Sequence, residues 1–154
     1  MCARPSAVNP GEVQRRVQAF VDRCKANKFR MTHQRLEIFR EVARTTEHPD
    51  AETIYQRIRT RMPTLSQDTV YRTLSFLEDE GFISRVEVLS DKARFDANME
   101  NHYHLICMDC GRVSDFYSKE LDGFSPPTDA KAWGDLRSFH AEYRGVCADC
   151  KSKA

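Results

Sequence analysis

Two Cys-x-x-Cys pairs are the residues of this chain best suited to metal chemistry. Cys107 and Cys110 form one pair, and Cys147 and Cys150 form the other. Each pair can turn two thiolates toward one point, so two pairs complete a tetrahedral Zn²⁺ site. A redox dithiol is the alternative, but that motif normally occurs singly, at the start of a helix in a βαβ setting. We find no such setting, and the spacing favours a structural zinc site that ties the C-terminus to the middle of the chain.

A second group of possible metal ligands combines histidines with carboxylates. His102 and His104 alternate with Tyr103 on a predicted strand, so both imidazoles leave the same face. Imidazole and carboxylate donors favour exchangeable ions such as Mn²⁺, Fe²⁺ or Zn²⁺. Further candidates for this site are His48, Asp96 and Asp115. Each of the five could instead be an ordinary solvated, loop or strand-end residue. If they converge, the ion would link the two halves of the chain and act as a switch.

The composition restricts the class of protein. The 154 residues suffice for one domain or two small ones, and the net charge is only +1. Many of the basic residues nevertheless lie in the first 72 positions, whereas acidic residues gather around 91–100 and 109–135. A basic N-terminal half suits a polyanionic partner, although solvated helix faces give the same pattern. We find neither a membrane span nor a secretion signal, and therefore expect a cytoplasmic protein whose cysteines bind metal.

Helical periodicity dominates the first half of the chain. Apolar residues at helical spacing predict one helix over 12–27, a second capped by Thr32 and a third opened by Asp50. Ser66 is expected to cap a fourth helix, which ends at Gly81. The outward face of this fourth helix is polar, as expected for a helix that contacts solvent or a charged partner.

The hydrophobic period changes from helical to alternating after the fourth helix. Residues 83–88, a turn at 90–92 and the segment 94–96 predict a β-hairpin. Several helices followed by a hairpin make a winged helix-turn-helix. In that arrangement the fourth helix would enter the major groove of DNA and the hairpin would lie beside the backbone.

The remainder of the chain predicts a small sheet domain. Its strands are expected at 102–107, 112–116 and 136–146. Gly123, Pro126 and Pro127 interrupt any helix that starts at Lys119, and Trp133 is expected to be a packing residue. The predicted fold class is therefore α+β, with a winged-helix domain at 1–92, a hinge at 93–98 and a second domain at 99–154.

Several short motifs, in order along nearly the whole chain, resemble the ferric uptake regulator (Fur) family. They are His48-Pro49, Thr69-Val70-Tyr71-Arg72-Thr73-Leu74, Arg94-Phe95-Asp96, His102-Tyr103-His104-Leu105-Ile106-Cys107, Cys110-Gly111 and Gly145-Val146-Cys147. So many fixed spacings together are highly specific. The resemblance implies a homodimeric, metal-dependent transcriptional repressor rather than an enzyme. It also implies an N-terminal winged-helix domain and a small C-terminal α/β dimerisation domain with a four-cysteine zinc site.

Within the family, the chain is most similar to the peroxide-sensing (PerR) branch. The branch's structural zinc ligands match Cys107, Cys110, Cys147 and Cys150, and its regulatory Fe²⁺ or Mn²⁺ ligands match His48, Asp96, His102, His104 and Asp115. The resemblance implies that iron and peroxide oxidise His48 and His102 and release DNA, whereas Mn²⁺ represses without this chemistry. The iron-sensing branch more often has glutamate at the position of Asp96. The family's usual dimerisation helix is interrupted here over 122–133.

The partners expected from this resemblance are double-stranded operator DNA and a second copy of the chain, with peroxide as the only small-molecule signal. Candidate DNA contacts are Arg35, Ser66, Gln67, Thr69, Tyr71 and Arg72. An iron- or zinc-uptake regulator of the same family is the alternative function. A zinc hydrolase built on His102, His104 and an acid is a rival from a different class. No motif sets a general base or nucleophile beside that cluster, and a hydrolase would leave the winged helix without a function.

Overall fold

The structure is a computed structural model and describes residues 7–88 and 92–153. The chain divides into two compact units, Met1–Met99 and Glu100–Ala154. Cys2 and two residues of the predicted hairpin turn, Ser90 and Asp91, lie outside the described residues. Within the described ranges, no helix combines the length and the apolar character that a bilayer crossing requires.

Four helices build most of the first unit, and all four predicted helices are confirmed. They are α1 (Pro10–Ala26), α2 (His33–Ala43), α3 (Ala51–Arg59) and α4 (Gln67–Asp79). Side-chain oxygens at the predicted caps accept backbone N–H groups that the helices themselves cannot satisfy. These bonds join Thr32 to Arg35 at 3.2 Å, Asp50 to Thr53 at 2.7 Å, and Ser66 to Thr69 at 3.1 Å.

The helices of the first unit share one apolar core. Phe20 of α1 stacks on Phe39 of α2 with ring centroids 4.4 Å apart, and it meets Phe82 edge-on at 4.7 Å. Ile54 of α3 and Leu74 of α4 are buried in the same cluster. This core fixes the position of α4, so the polar face of that helix is presented to solvent on a rigid support.

A two-stranded hairpin completes the first unit. Strand β1 (Ser84–Val86) pairs antiparallel with β2 (Arg94–Asp96), as the alternating pattern predicted. The Phe95 N–H also donates to the Pro49 carbonyl at 3.1 Å, which attaches β2 to the loop before α3. Strand β2 lies inside the segment 93–98 that the sequence assigned to a hinge, and the first unit continues to Met99.

The second unit is a small sheet with short helices. Its elements are β3 (Tyr103–Cys107), β4 (Val113–Phe116), α5 (Lys119–Asp122), α6 (Thr128–Trp133), β5 (Glu142–Gly145) and α7 (Ala148–Lys151). The strand order is β4-β3-β5, in which β4 is antiparallel and β5 parallel to β3. Gly123 follows the last residue of α5, and α6 begins after two prolines, as expected from those residues.

Two expectations for the second unit are wrong. The strand predicted over 136–146 is confined to Glu142–Gly145, because its pairing with β3 begins only where Glu142 lies opposite His104. Trp133, expected to be a packing residue, leaves 81% of its surface exposed at the end of α6. Helix α6 has only six residues, none of which is buried, so no described element covers the Trp133 ring.

Candidate metal centres and nucleic-acid interface

The four predicted zinc cysteines converge in the second unit. Parallel pairing of β5 with β3 places Cys107 opposite Gly145, so the first cysteine loop (residues 107–110) meets the second cysteine loop (residues 147–150). The Sγ atoms of Cys107 and Cys150 lie 3.9 Å apart, as do those of Cys110 and Cys147. A tetrahedral site with Zn–S bonds of about 2.3 Å has sulfur–sulfur edges of about 3.8 Å. The four cysteines therefore fit a zinc site.

The pKa values of two of these thiols also favour a bound cation. Backbone N–H groups of Cys110 and Cys147 lower the pKa of Cys107 to about 6, and the Cys147 N–H lies 3.3 Å from the Cys107 sulfur. The side chains of Cys147 and Cys110 raise the pKa of Cys150 to about 12. Backbone donors thus favour the Cys107 thiolate, whereas ionising Cys150 beside its neighbours needs a compensating positive charge. A set of four sulfur donors selects Zn²⁺ among hard and borderline divalent ions.

An ion pair that sequence reasoning missed joins the two cysteine loops. Arg112 lies two residues after Cys110, and Asp149 lies between the cysteines of the second loop. The Arg112 Nη1 donates to the Asp149 Oδ2 at 2.8 Å. This hydrogen bond raises the pKa of Arg112, and the negative charge of Asp149 acts in the same direction. The spacing alone gave no signal for the pair, because its members are 37 residues apart.

The first unit places His48 beside Asp96. The His48 Nε2 lies 3.4 Å from the Asp96 Oδ2, and only 1% of His48 and 5% of Asp96 is exposed. His48 has a φ of +49°, in the left-handed region that non-glycine residues rarely adopt. Such a conformation costs on the order of 1–3 kcal/mol and is concentrated at functional sites. A strained, buried histidine next to a carboxylate is a reasonable metal-ligand pair.

The second unit places the other three candidates together. The Nε2 atoms of His102 and His104 are 3.1 Å apart, and the Asp115 Oδ1 lies 4.0 Å from the first and 3.7 Å from the second. The β-sheet register explains this, because His104 is directly opposite Asp115. Neighbouring ligands around an octahedral ion, with metal–nitrogen bonds of about 2.1 Å, are separated by about 3 Å. Two imidazoles and one carboxylate can therefore face a shared cation.

The backbone assists the orientation of His102. Its Nδ1 lies 2.7 Å from the Glu100 carbonyl oxygen, a distance that suits a hydrogen bond from a protonated Nδ1. That tautomer leaves the lone pair of Nε2 directed toward His104 and Asp115 and available to a metal. Hydrogen bonds of this kind commonly fix metal-binding imidazoles in one ring orientation.

Three of the six candidate DNA contacts lie on the surface of α4. Tyr71 is half exposed, and the Arg72 side chain is 81% exposed, with its Nε 3.0 Å from the Asp68 carboxylate. The Gln67 amide donates to Glu52 of α3 at 2.5 Å. Sequence reasoning did not single out Asp68 or Glu52. The four-residue spacing of Asp68 and Arg72 is a signal that could have identified the first of these contacts.

The other three candidates make contacts within the protein. Ser66 and Thr69 bond to each other at the N-terminus of α4, with their hydroxyl oxygens 2.8 Å apart. The Arg35 guanidinium lies over the Phe76 ring, 3.9 Å from its centroid, and donates to the Arg30 carbonyl at 2.6 Å. These contacts hold α4 and its surroundings in place, and Ser66 and Thr69 remain at the helix end, where backbone N–H groups can meet phosphate.

Comparison with known proteins gives one consistent result. A profile of the Ferric uptake regulator family matches residues 26–133. The chain is 34% identical over 124 residues to the peroxide-responsive repressor PerR of Staphylococcus epidermidis, covering 80% of this chain and 83% of the relative. Its structure is similar to the ferric uptake regulator Fur of Helicobacter pylori, with a TM-score of 0.74, 27% identity and 95% and 97% of the two chains covered. It is also similar to the peroxide stress regulator of Campylobacter jejuni, with a TM-score of 0.66, 26% identity and 87% and 98% covered.

Proposed function

Because the chain belongs to the ferric uptake regulator family, we propose that it is a metal-dependent transcriptional repressor that releases operator DNA in response to peroxide. The observation that carries this proposal is the presence of two distinct donor sets in one chain. Four sulfur donors suit a permanent ion, whereas the imidazoles and carboxylates that lie together within each unit suit an exchangeable one. The staphylococcal relatives named for peroxide response support the choice of signal.

The four-cysteine site is proposed to hold structural Zn²⁺. Cys107 ends β3 and Cys110 follows it, whereas Cys147 caps the N-terminus of α7 and Cys150 lies within that helix. An ion bound by all four would connect the last residues of the chain to the central strand of the sheet. With four protein ligands, no coordination position is open to substrate, which is the property of a structural rather than a catalytic zinc site.

The regulatory site is proposed to combine His48 and Asp96 of the first unit with His102, His104 and Asp115 of the second. These residues supply three imidazoles and two carboxylates, which suits Fe²⁺ or Mn²⁺. An ion bound by ligands from both units would fix the orientation of the DNA-binding unit. Occupancy of the site and affinity for DNA are then linked, because the metal stabilises the arrangement that binds.

Peroxide sensing is proposed to act on the ligands themselves. Bound Fe²⁺ supplies the reducing chemistry that activates peroxide, and bound Mn²⁺ does not. One peroxide oxygen is added to the imidazole ring of His48 or His102, and the other leaves as water. The modified ring is no longer an imidazole ligand, so the site loses its metal and the protein releases DNA. The placement of His48 in a strained backbone conformation favours its role as a ligand rather than a packing residue.

DNA binding is proposed to use the exposed face of α4 and the hairpin of the first unit. Gln67, Tyr71 and Arg72 can reach base edges, whereas Ser66 and Thr69 present the helix N-terminus to phosphate. Arg35 is also proposed to contact DNA, and its guanidinium packs on the Phe76 ring. We further propose that residues 1–92 bind DNA, that 93–98 form a hinge and that 99–154 bind metal and form the dimer. The proposed location of the protein is the cytoplasm.

A second copy of the chain is the proposed partner of the second unit. Strand β5 is one of the two outer strands of the described sheet, and all four of its residues are exposed in the single chain. Large apolar side chains of the second unit are also exposed, and they include Tyr117, Phe124, Trp133, Leu136, Phe139, Tyr143 and Val146. Phe124 stacks on Phe139 at 5.3 Å, so part of this surface is already ordered. Exposed apolar patches and open sheet edges of this kind mark association surfaces.

The test is a titration of operator affinity with metal ions in a ligand variant. His104→Ala removes one proposed regulatory ligand and leaves the four zinc cysteines intact. We expect this variant to keep its zinc and its fold but to show no increase in DNA affinity when Mn²⁺ is added. His140→Ala is the matched control, because His140 is an exposed histidine of the same unit that is not a proposed ligand. Metal-stimulated binding that survives in His104→Ala would contradict the proposed site.

The same titration separates the proposal from the uptake-regulator alternative. A peroxide sensor should bind operator with Fe²⁺ or Mn²⁺, and H₂O₂ should abolish binding only in the iron form. An iron- or zinc-uptake regulator should instead respond to the concentration of its own ion and stay bound after brief peroxide treatment. Operator affinity measured with Fe²⁺, Mn²⁺ and Zn²⁺, each with and without H₂O₂, therefore distinguishes the two functions.

A further inference from the structure

In the described residues, the ion pair of Arg112 with Asp149 joins the chain just after the first cysteine loop to the second cysteine loop. Its 2.8 Å hydrogen bond connects the residue that precedes β4 to the middle of the second loop. The Arg112 carbonyl also accepts the Cys107 N–H at 2.9 Å, so the backbone of Arg112 is fixed to the first loop. A guanidinium anchored in this way holds a carboxylate from the opposite loop at a defined distance.

We propose that Arg112 and Asp149 are positioning residues that keep the two cysteine loops together and thereby slow the release of zinc. The inference rests on the proposed zinc occupancy of the four-cysteine site. Each loop supplies two sulfurs, so an ion can leave only after one loop has moved away from the other. The ion pair opposes that movement without being a ligand. It therefore acts on the rate of metal release more than on the coordination geometry.

Backbone contacts alone make a looser connection between the loops. The Met108 N–H donates to the Gly145 carbonyl at 2.7 Å, which joins the first loop to the end of β5. This contact and the bond from the Cys147 N–H to the Cys107 sulfur at 3.3 Å hold the second loop only as far as Cys147, ahead of Cys150 in α7. Asp149 lies one residue before Cys150, so its ion pair holds the part of the loop that these contacts do not reach. Loss of the pair should therefore mainly loosen Cys150, the most distant ligand in the chain.

The expected size of the effect follows from the exposure of the pair. Arg112 and Asp149 keep 31% and 40% of their side-chain surface exposed, so solvent weakens their attraction. Changes in the residues that support metal ligands typically alter metal affinity by about 10- to 100-fold. We expect the lower end of that range, an increase of about tenfold in the rate of zinc release.

The experiment measures zinc transfer from the full-length protein to excess chromophoric chelator. Arg112→Gln and Asp149→Asn should each release zinc about tenfold faster than the unmodified protein. The charge-reversed double variant Arg112→Asp with Asp149→Arg should restore most of the original rate, because the pair is rebuilt with opposite polarity. Arg137→Gln is the control, since it removes another 2.8 Å ion pair of this unit, formed with Asp135. It should leave zinc release unchanged.

Cobalt substitution adds a readout that a general loss of structure would change. The Co²⁺ absorption of each single variant should match that of the unmodified protein, because the four sulfur ligands stay the same. Unchanged release rates in both single variants would overturn the proposal, as would faster release that the charge-reversed variant fails to reverse. A purified protein that contains no zinc would instead refute the zinc assignment, so the two failures are distinguishable.

Discussion

Replacing one zinc ligand should unfold the second unit while the first stays folded. Cys110→Ser leaves three sulfurs, and the site loses its closed tetrahedral set. The two units differ in what else holds them together. Among the described residues, eighteen buried apolar side chains form the core of the first unit. In the described part of the second unit the buried apolar side chains are only Tyr103, Ile106, Cys107 and Val113.

The loss of stability expected in the second unit follows from this difference in the size of the two cores. Cys107 is a proposed zinc ligand, and the other three buried side chains contribute about 5–9 kcal/mol before any conformational entropy is subtracted. A unit of 55 residues loses far more than this in entropy when it folds, so its apolar core alone is insufficient. Structural Zn²⁺ contributes on the order of 10–16 kcal/mol in small zinc domains, which is comparable to the whole stability of a typical domain, about 5–15 kcal/mol. Loss of the ion should therefore remove the stable fold of the second unit.

Hydrogen exchange followed by peptide mass spectrometry resolves the two units. In Cys110→Ser, peptides from β3 and β4 should lose protection, whereas those from α1 to α4 should keep it, and zinc content should fall. Cys24→Ala is the matched control, because Cys24 is a buried thiol in the core of the first unit. It should retain zinc and protection in β3 and β4. Unchanged exchange in β3 and β4 together with full zinc content in Cys110→Ser would refute this reasoning.

Three further outcomes are expected. Arg72→Ala should weaken specific operator binding by about 1–3 kcal/mol if Arg72 contacts a base, and an equal loss on random DNA in a binding titration would make it a phosphate contact. Zinc binding should release at least one proton near neutral pH, because the neighbouring Cys147 and Cys110 side chains raise the pKa of Cys150 to about 12. Apparent zinc affinity in competition titrations should then rise about tenfold or more per pH unit, and a pH-independent affinity would contradict this. Tyr143→Arg, on the exposed strand β5, should yield a monomer near 17.8 kDa in sedimentation equilibrium, and a persistent dimer would place the interface elsewhere.

Local features of the sequence predicted most of the first unit. Helix caps act over three or four residues, so Thr32, Asp50 and Ser66 could be recognised without any knowledge of the fold. The alternating pattern after Gly81 likewise predicted the hairpin, since one strand face packs on the helical core. The four-cysteine site was also predictable, because the spacing within each cysteine pair reflects the geometry of a single ion.

Features that depend on distant residues could not be predicted in the same way. Strand β5 is limited to four residues by its parallel register with β3, and the local pattern over 136–146 contains no information about that register. The ion pair of Arg112 with Asp149 joins residues 37 positions apart, and no local motif indicated the left-handed conformation of His48. Arg35 was predicted only as a DNA contact, whereas its contact with Phe76 depends on how α2 meets α4.

Peroxide sensing is the central claim, and oxidation of the proposed ligands tests it most directly. The iron-loaded and manganese-loaded proteins would be treated with H₂O₂, digested and analysed by peptide mass spectrometry, with operator binding measured on the same samples. We expect one added oxygen on His48 or His102 and loss of DNA binding in the iron form, and neither change in the manganese form. Release of DNA by the iron form through oxidation of the zinc cysteines, with both histidines unmodified, would contradict the proposed mechanism.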